Sequence, residues 1–403
     1  MAPPVQNPGY GTMPTAENQS ESGEASSESG ESESGSATVG NAVSSFVNNP
    51  FTWGPVVLHP RLGYTFTYGN GIHSRPGEQE KTIIQRVTPS LGMTIGRHWN
   101  LNYTPSLSFY SSDEFKDTLD HSVSLSGATS YEDWAFSVSQ SYARSSESRV
   151  ETARQTDQET YSTSLGATYL INSAWSVEMG VSQSFRFTGG GYANAQRDSR
   201  NWSTMEWLNY QYSPALGFAV GVGGGYDDVG VGSDMTSETL QGRVTFRVTE
   251  KVNLSVNGGG EVRQFLDSEE PDLLSPIFGA SISYSPFKVT TISLSGSRSV
   301  SSSYFQNQVT ENTSVSLGLT QRLFGRYSLG LSGGFSTTDY RASASGLSVS
   351  RSDENSFFRV SLGTGFLKRG TVSIFYSVSK NSSNNDDFGY SSDQMGFSLS
   401  YGY

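Results

Sequence analysis

The sequence predicts an all-β fold, a single transmembrane antiparallel β-barrel of about 18 strands behind a separate N-terminal tail. Three observations predict it. After Val57, large apolar residues alternate with small or polar ones, as they must where successive strand side chains point to opposite sides. Tight turns then alternate with longer polar connections. Finally, 34% of the 403 residues are hydrophobic, too few to fill a conventional two-layer core, yet 12% are aromatic and regularly placed.

Composition also excludes. No apolar run approaches the roughly 20 residues of a membrane-spanning helix, so any crossing must be made by strands. With no cysteine in the chain, a disulfide framework, a thiolate metal site, a cysteine nucleophile and a lipidated N-terminal cysteine are all ruled out. Met1-Ala2-Pro3-Pro4 has neither a basic n-region nor an apolar h-region, so the chain reads as a mature form given a new Met rather than one carrying a signal peptide.

Residues 1–50 are a different material from residues 51–403. From Glu17 to Ser36, the run ENQSESGEASSESGESESGS mixes Ser, Gly and Glu without Lys, Arg or apolar periodicity. That composition predicts a disordered, acidic, self-repelling periplasmic tail, either a flexible linker or a segment that docks on a partner or on cell-wall material.

Beyond the tail, tight turns fall near Arg97–Asn100, Tyr131–Asp133, Asn172-Ser173, Ser213–Ala215, Glu250-Lys251, Ser285–Lys288, Phe324–Arg326 and Lys368–Gly370. With a first strand at about 57–69 and a last at about 390–403, these hairpins make an even strand number with both ends on the short-turn side. Short turns at one end and longer loops at the other are the signature of an outer-membrane barrel, and closure removes aggregation-prone sheet edges. A β-propeller has a similar repeat length but needs four short strands per blade, whereas each repeat here holds two long ones.

The strand faces agree. Trp175, Val177, Met179, Val181, Phe185 and Phe187 oppose Ser176, Gly180, Ser182 and Ser184, and Tyr327, Leu329, Leu331 and Phe335 oppose Ser328, Gly330, Ser332 and Gly334. The polar face is too small-chained for an ordinary charged surface and suits a water-filled lumen. Trp99, Trp134, Trp175, Phe287 and Tyr327 all lie at short-turn ends, where rings with apolar bodies form a girdle among lipid headgroups.

The chain ends on QMGFSLSYGY, an alternating aromatic strand. Gln394, Gly396, Leu399, Tyr401 and Tyr403 resemble the C-terminal signature of outer-membrane barrels, which implies a strand read by the barrel assembly machinery and closed against the first strand. The stretch NPFTWGPVVLHPRLGYTFTYGNGI from Asn49 to Ile72, with TSYEDW, STMEWLNYQY and SYFQNQVTENTS, is similar to the porin-2-type outer-membrane β-barrel proteins of Gram-negative bacteria. The resemblance implies location and fold, and little about cargo.

Chemistry is sparse. His59, His73, His98 and His121 have no partner at metal-ligand spacing, and no nucleophile elbow is present, so neither an enzyme nor a cofactor or metal is expected. The triplets Gly189–Gly191, Gly223–Gly225 and Gly258–Gly260 read as strand glycines that permit bending rather than as phosphate loops. Alternation places Arg61, Arg86, Arg186, Arg243, Arg247, Arg263, Arg322 and Arg359 on the small-residue face with Glu178 and Glu261. Two readings stay open: internal salt bridges that hold the wall, or an electropositive constriction of the kind that builds anion pores. Carboxylates such as Asp113, Asp227, Asp228, Glu270 and Asp387 fall in the expected long loops.

The function expected is passive diffusion of small hydrophilic solutes or ions across the outer membrane, with weak anion preference. The expected partners are membrane lipid, lipopolysaccharide and the assembly machinery, with no nucleic acid. The rival is a non-conducting surface barrel, or one associated with polysaccharide export, whose loops bind extracellular material.

Overall fold

The computed structural model describes residues 51–189, 198–230, 232–266, 268–344 and 349–402. The tail, Tyr403 and the second and third glycines of Gly189–Gly191 lie outside the described residues. Eighteen strands form the ring: β1 Val56–Arg75, β2 Glu78–Ile95, β3 Trp99–Tyr110, β4 Thr118–Tyr131, β5 Trp134–Ser145, β6 Asp157–Leu170, β7 Trp175–Gly189, β8 Ser199–Ser213, β9 Leu216–Val229, β10 Met235–Thr249, β11 Val252–Phe265, β12 Leu273–Phe287, β13 Thr290–Ser302, β14 Gln308–Leu323, β15 Tyr327–Ala342, β16 Ser352–Phe366, β17 Gly370–Ser383 and β18 Tyr390–Gly402. Each pairs antiparallel with its neighbours in sequence, and β1 also pairs with β18, from Arg61 opposite Gly402 to Asn70 opposite Asp393. The ring is therefore closed. A three-residue strand, Phe51–Trp53, lies against the start of β1.

The alternation is realised as two faces. Outward, Leu62, Val181, Val220, Leu240 and Leu317 are all at least half exposed. Inward, serines of adjacent strands bond to one another, as in Ser182 with Ser203 at 2.6 Å and Ser295 with Ser316 at 2.7 Å. A sandwich core would reverse this arrangement.

All eight expected tight turns are present between strands. Their girdle is present too, with Trp134 against Tyr169 and Trp175 against Tyr210 at ring separations of 4.8 and 4.6 Å. A second girdle lies nearer the other end, where Tyr142, Tyr161, Phe187, Phe185, Trp202 and Tyr226 form an unbroken row of ring contacts across five strands. Along tilted β7, the residues from Trp175 to Phe185 separate the girdles by about 25 Å, the height of the apolar band of a membrane barrel.

The other end differs from expectation in two places. β1 runs to Arg75 and joins β2 through only Pro76-Gly77, not a longer polar loop. Gly77 takes φ +77°, which glycine adopts without strain, and its N–H donates to Asp387 O at 2.8 Å. Asp227 and Asp228 lie within β9 rather than in a loop. Neighbouring side chains hold them in the wall: Asn201 donates to Asp227 at 2.9 Å, and Arg200 pairs with Asp228 at 2.9 Å.

Candidate functional site

The inner face of the ring, and the loops that fold across one end of it, form the candidate site. Between β5 and β6, residues 146–156 carry a two-residue ladder, Ser148–Arg149 with Arg154–Gln155, and turn inward. Glu151, Thr152, Ala153 and Thr156 are buried, although they belong to a polar loop. The Glu151 carboxylate accepts from Ser303 Oγ at 2.5 Å and from Tyr304 N at 2.8 Å, in the connection between β13 and β14. The two connections are eight strands apart on a ring of eighteen, nearly opposite. They can meet only across the lumen.

Other bonds fasten the same loop. Ser148 Oγ donates to His73 O on β1 at 2.7 Å, and the Gln155 side chain both donates to and accepts from the Lys116 backbone, at 3.1 and 2.9 Å. Arg351 Nη1 donates to Glu151 O at 2.9 Å, while the same guanidinium lies between the rings of Tyr340 and Phe388. Tyr304 takes two guanidinium groups: Arg149 Nη1 donates to its hydroxyl at 3.1 Å, and Arg186 stacks on its ring at 4.0 Å. Beneath these contacts, Val229, Met235, Phe265, Val300 and Val309 form a small apolar core inside the same end of the barrel. Between the loop and the wall is a cavity bounded by His73, Arg86, Tyr110, Glu147, Tyr390 and Gln394.

The structure sorts the eight arginines. Arg86 on β2 pairs with Glu147 of the inward loop. Arg243 on β10 reaches past two strands to Glu178 on β7 at 2.7 Å, bonds Asn209 and lies over the Trp207 ring, which requires both charges to face inward. Arg263 is buried against Glu261 at 2.8 Å and Asp227 at 3.5 Å. Arg186 donates to the carbonyls of Ser302 and Ser303 across the lumen. Arg359 lies over the Phe375 ring at 4.3 Å. Arg61, Arg247 and Arg322, near the short-turn mouth, are exposed and have no ion pair among the described residues. Arg86, Arg243 and Arg263 are thus in ion pairs of the wall and its inward loop, whereas Arg61, Arg247 and Arg322 are exposed.

Sequence reasoning missed a further set of charges. Glu311, only 3% exposed, binds Arg298 at 3.3 Å and Arg341 at 2.6 Å, and Arg351 pairs with Asp353 at 2.5 Å. All lie toward the long-loop ends, where arginines alternate with carboxylates on adjacent strands. Among the described residues, no group of three or more His, Asp or Glu is placed to hold a metal ion.

The described residues of the expected C-terminal signature lie opposite β1. Gln394 is buried opposite Gly69, Gly396 is opposite Thr67, Leu399 opposite Tyr64 and Tyr401 opposite Leu62. A Cβ on Gly396 would lie 2.0 Å from Phe66 O and 2.9 Å from the Phe375 ring, so only glycine fits at this point of closure. His121 sits on the outer face, its ring parallel to that of Tyr103 and its Nδ1 3.1 Å from the Tyr103 hydroxyl.

No family model matches the chain, the porin-2-type group included, and no curated protein matches it. Solved structures of similar shape include OccK3 (OpdO) of Pseudomonas aeruginosa, 13% identical at a TM-score of 0.45 over 86% of this chain and 95% of that one. OccAB2 of Acinetobacter baumannii is 9% identical at 0.45 over 86% and 98%. The copper transporter OprC is 9% identical at 0.43 over 81% of this chain, which spans 61% of that protein's length. The closed ladder itself defines the class of this protein, an 18-stranded antiparallel β-barrel with an apolar exterior.

Proposed function

We propose that the chain is an outer-membrane channel for passive diffusion of small hydrophilic solutes, narrowed at its long-loop end by residues 146–156. The observation that carries this reading is a closed ring of 18 strands whose inner face is small and polar, a size at which barrels enclose an aqueous path rather than filling with side chains. The loop contacts across that path make the narrowing. Lipid and lipopolysaccharide surround the outer face, the assembly machinery reads β18, and the tail and the C-terminus lie on the periplasmic side.

Weak anion preference belongs to the same reading, on narrower grounds than the arginine count. Paired charges such as Arg243 and Glu178 cancel at a distance, which leaves Arg61, Arg247 and Arg322 as the net field near the short-turn mouth. Planar-bilayer recording tests both parts: discrete conductance steps and an anion-directed reversal potential under a KCl gradient are expected. Cation preference would remove the selectivity claim.

The interlocked loops and the apolar core beneath them favour a second reading, a non-conducting surface or export-associated barrel. Absence of conductance steps from folded protein would select it.

A further inference from the structure

The short-turn rim is unevenly charged, and its charged arc matches a segment of the chain itself. Four consecutive turns, those joining β10 to β11, β12 to β13, β14 to β15 and β16 to β17, carry Lys251, Lys288, Arg326, and Lys368 with Arg369. Glu250 is the one carboxylate in those turns. The inward-facing Arg247 and Arg322 stand just inside the same arc, and β18 then β1, with Arg61, continue it around the ring. The opposite side differs, because the turn between β4 and β5 carries Glu132 and Asp133 and the turn between β6 and β7 has no charge at all.

The chain enters the barrel at one end of the basic arc. Phe51–Trp53 pairs with Val56–Leu58, and β1 is bonded to β18. Upstream, residues 1–50 contain six glutamates, Glu17, Glu21, Glu24, Glu28, Glu31 and Glu33, and no Lys, Arg or Asp. A coil of the length between Ser36 and Phe51 spans about 20 Å, against a ring roughly 36 Å across. The segment is thus tethered within reach of the arc, and tethering raises its local concentration enough for weak charge pairing to hold it.

We propose that the short-turn rim from β10 to β18 is a docking surface for this chain's own acidic segment, Glu17–Ser36. Docking rests on charge pairing with the basic side chains of the rim, so its occupancy falls with salt.

The cysteine-free sequence permits a direct test in the full-length, folded protein. Ser27→Cys is combined with Val289→Cys, beside Lys288 in the basic arc, or with Ser173→Cys in the uncharged turn. Ser173 lies fewer strands from β1 than Val289 does, so a tail without preference reaches it at least as often. With a fixed concentration of diamide as the two-electron oxidant and about 0.01 M salt, where charges act over roughly 30 Å, the Val289→Cys pair is expected to form its intramolecular disulfide about fivefold faster, and at 1 M salt, with about 3 Å screening, the two rates converge. Replacing all six glutamates with Gln abolishes the difference. Phe324→Cys, 90% exposed in the next turn of the arc, gives a second rim position should Val289→Cys fold poorly. Equal rates at low salt, a preference that survives the Gln replacements, or disulfides that join two chains in place of one would each overturn the proposal.

Discussion

Glu151 and Tyr304 meet inside one end of the barrel, carboxylate to backbone N–H at 2.8 Å, although their connections leave the wall on nearly opposite sides. Glu151 is 8% exposed and also takes the Ser303 hydroxyl, so the loop tip is held by charge-assisted bonds out of bulk water. Removing one partner of such a bond costs about 1.5–3 kcal/mol. Glu151→Ala is therefore expected to free the loop tip, raising single-channel conductance and its noise while heat-modifiable gel mobility stays normal. Unchanged current traces from the folded variant would show that this contact does not limit the path.

Arg243 and Glu178 are 24% and 31% exposed, so their pairing stabilises the wall by no more than about 1 kcal/mol. Their effect on ions is larger, because each masks the other. Glu178→Gln is expected to shift the reversal potential toward anions and Arg243→Gln toward cations, with the double variant close to the parent. The same sign of shift from both single variants would show that the pair does not face the ion path.

Gly396 and Gly365 form a matched pair for testing closure. A Cβ at Gly396 meets backbone and ring at contact-breaking distance, whereas one at Gly365 meets nothing within 4 Å. Gly396→Ala is expected to destabilise the barrel by about 1–3 kcal/mol, as overpacking does, and to lower the yield of the folded, fast-migrating band. Gly365→Ala should leave the band unchanged. Equal behaviour of the two variants would contradict the registered seam.

Trp202 and Trp207 are five residues apart on β8 and face opposite ways. Trp202 stands in the outer ring row between Phe185 and Tyr226, while Trp207 is 9% exposed under the Arg243 guanidinium. In bilayers containing brominated lipid, Trp202→Phe is expected to remove a quenchable part of the fluorescence. Trp207→Phe should remove an unquenchable part. Quenching lost with Trp207 would place that face against lipid and invert the strand assignment.

The alternation from Trp175 to Phe187 is enough to predict two faces, and short stretches such as Lys368–Gly370 mark the turns, because period-two patterning and turn chemistry are local. The inward fold of residues 146–156 was not legible. Its partners, Ser303 and Arg351, lie about 150 and 200 residues away, and a buried polar loop has the same composition as a solvated one. The lumen charges fall between these cases. Alternation assigned Arg243 and Glu178 to one face, but their pairing across two intervening strands depends on the curvature of the closed ring. The second girdle was hidden for a related reason: Phe187 and Tyr161 are ordinary strand aromatics until register brings their rings together.

The seam between β1 and β18 sets the order of folding. Every other ladder in the ring joins strands adjacent in sequence, so hairpins can grow by local steps, but Arg61 meets Gly402 only after some 340 residues have been looped back. That loop costs about 5 kcal/mol of chain entropy before the first seam bond forms, and the registered pairs that follow must recover it together. Zipping this ladder is thus a late, cooperative event in a polypeptide whose other ring ladders join strands that are neighbours in sequence. Because the two seam strands begin and end at the same rim, joining them by a short linker and cutting at Pro76-Gly77 would give a circular permutant with the same wall and the slow step moved elsewhere in the chain.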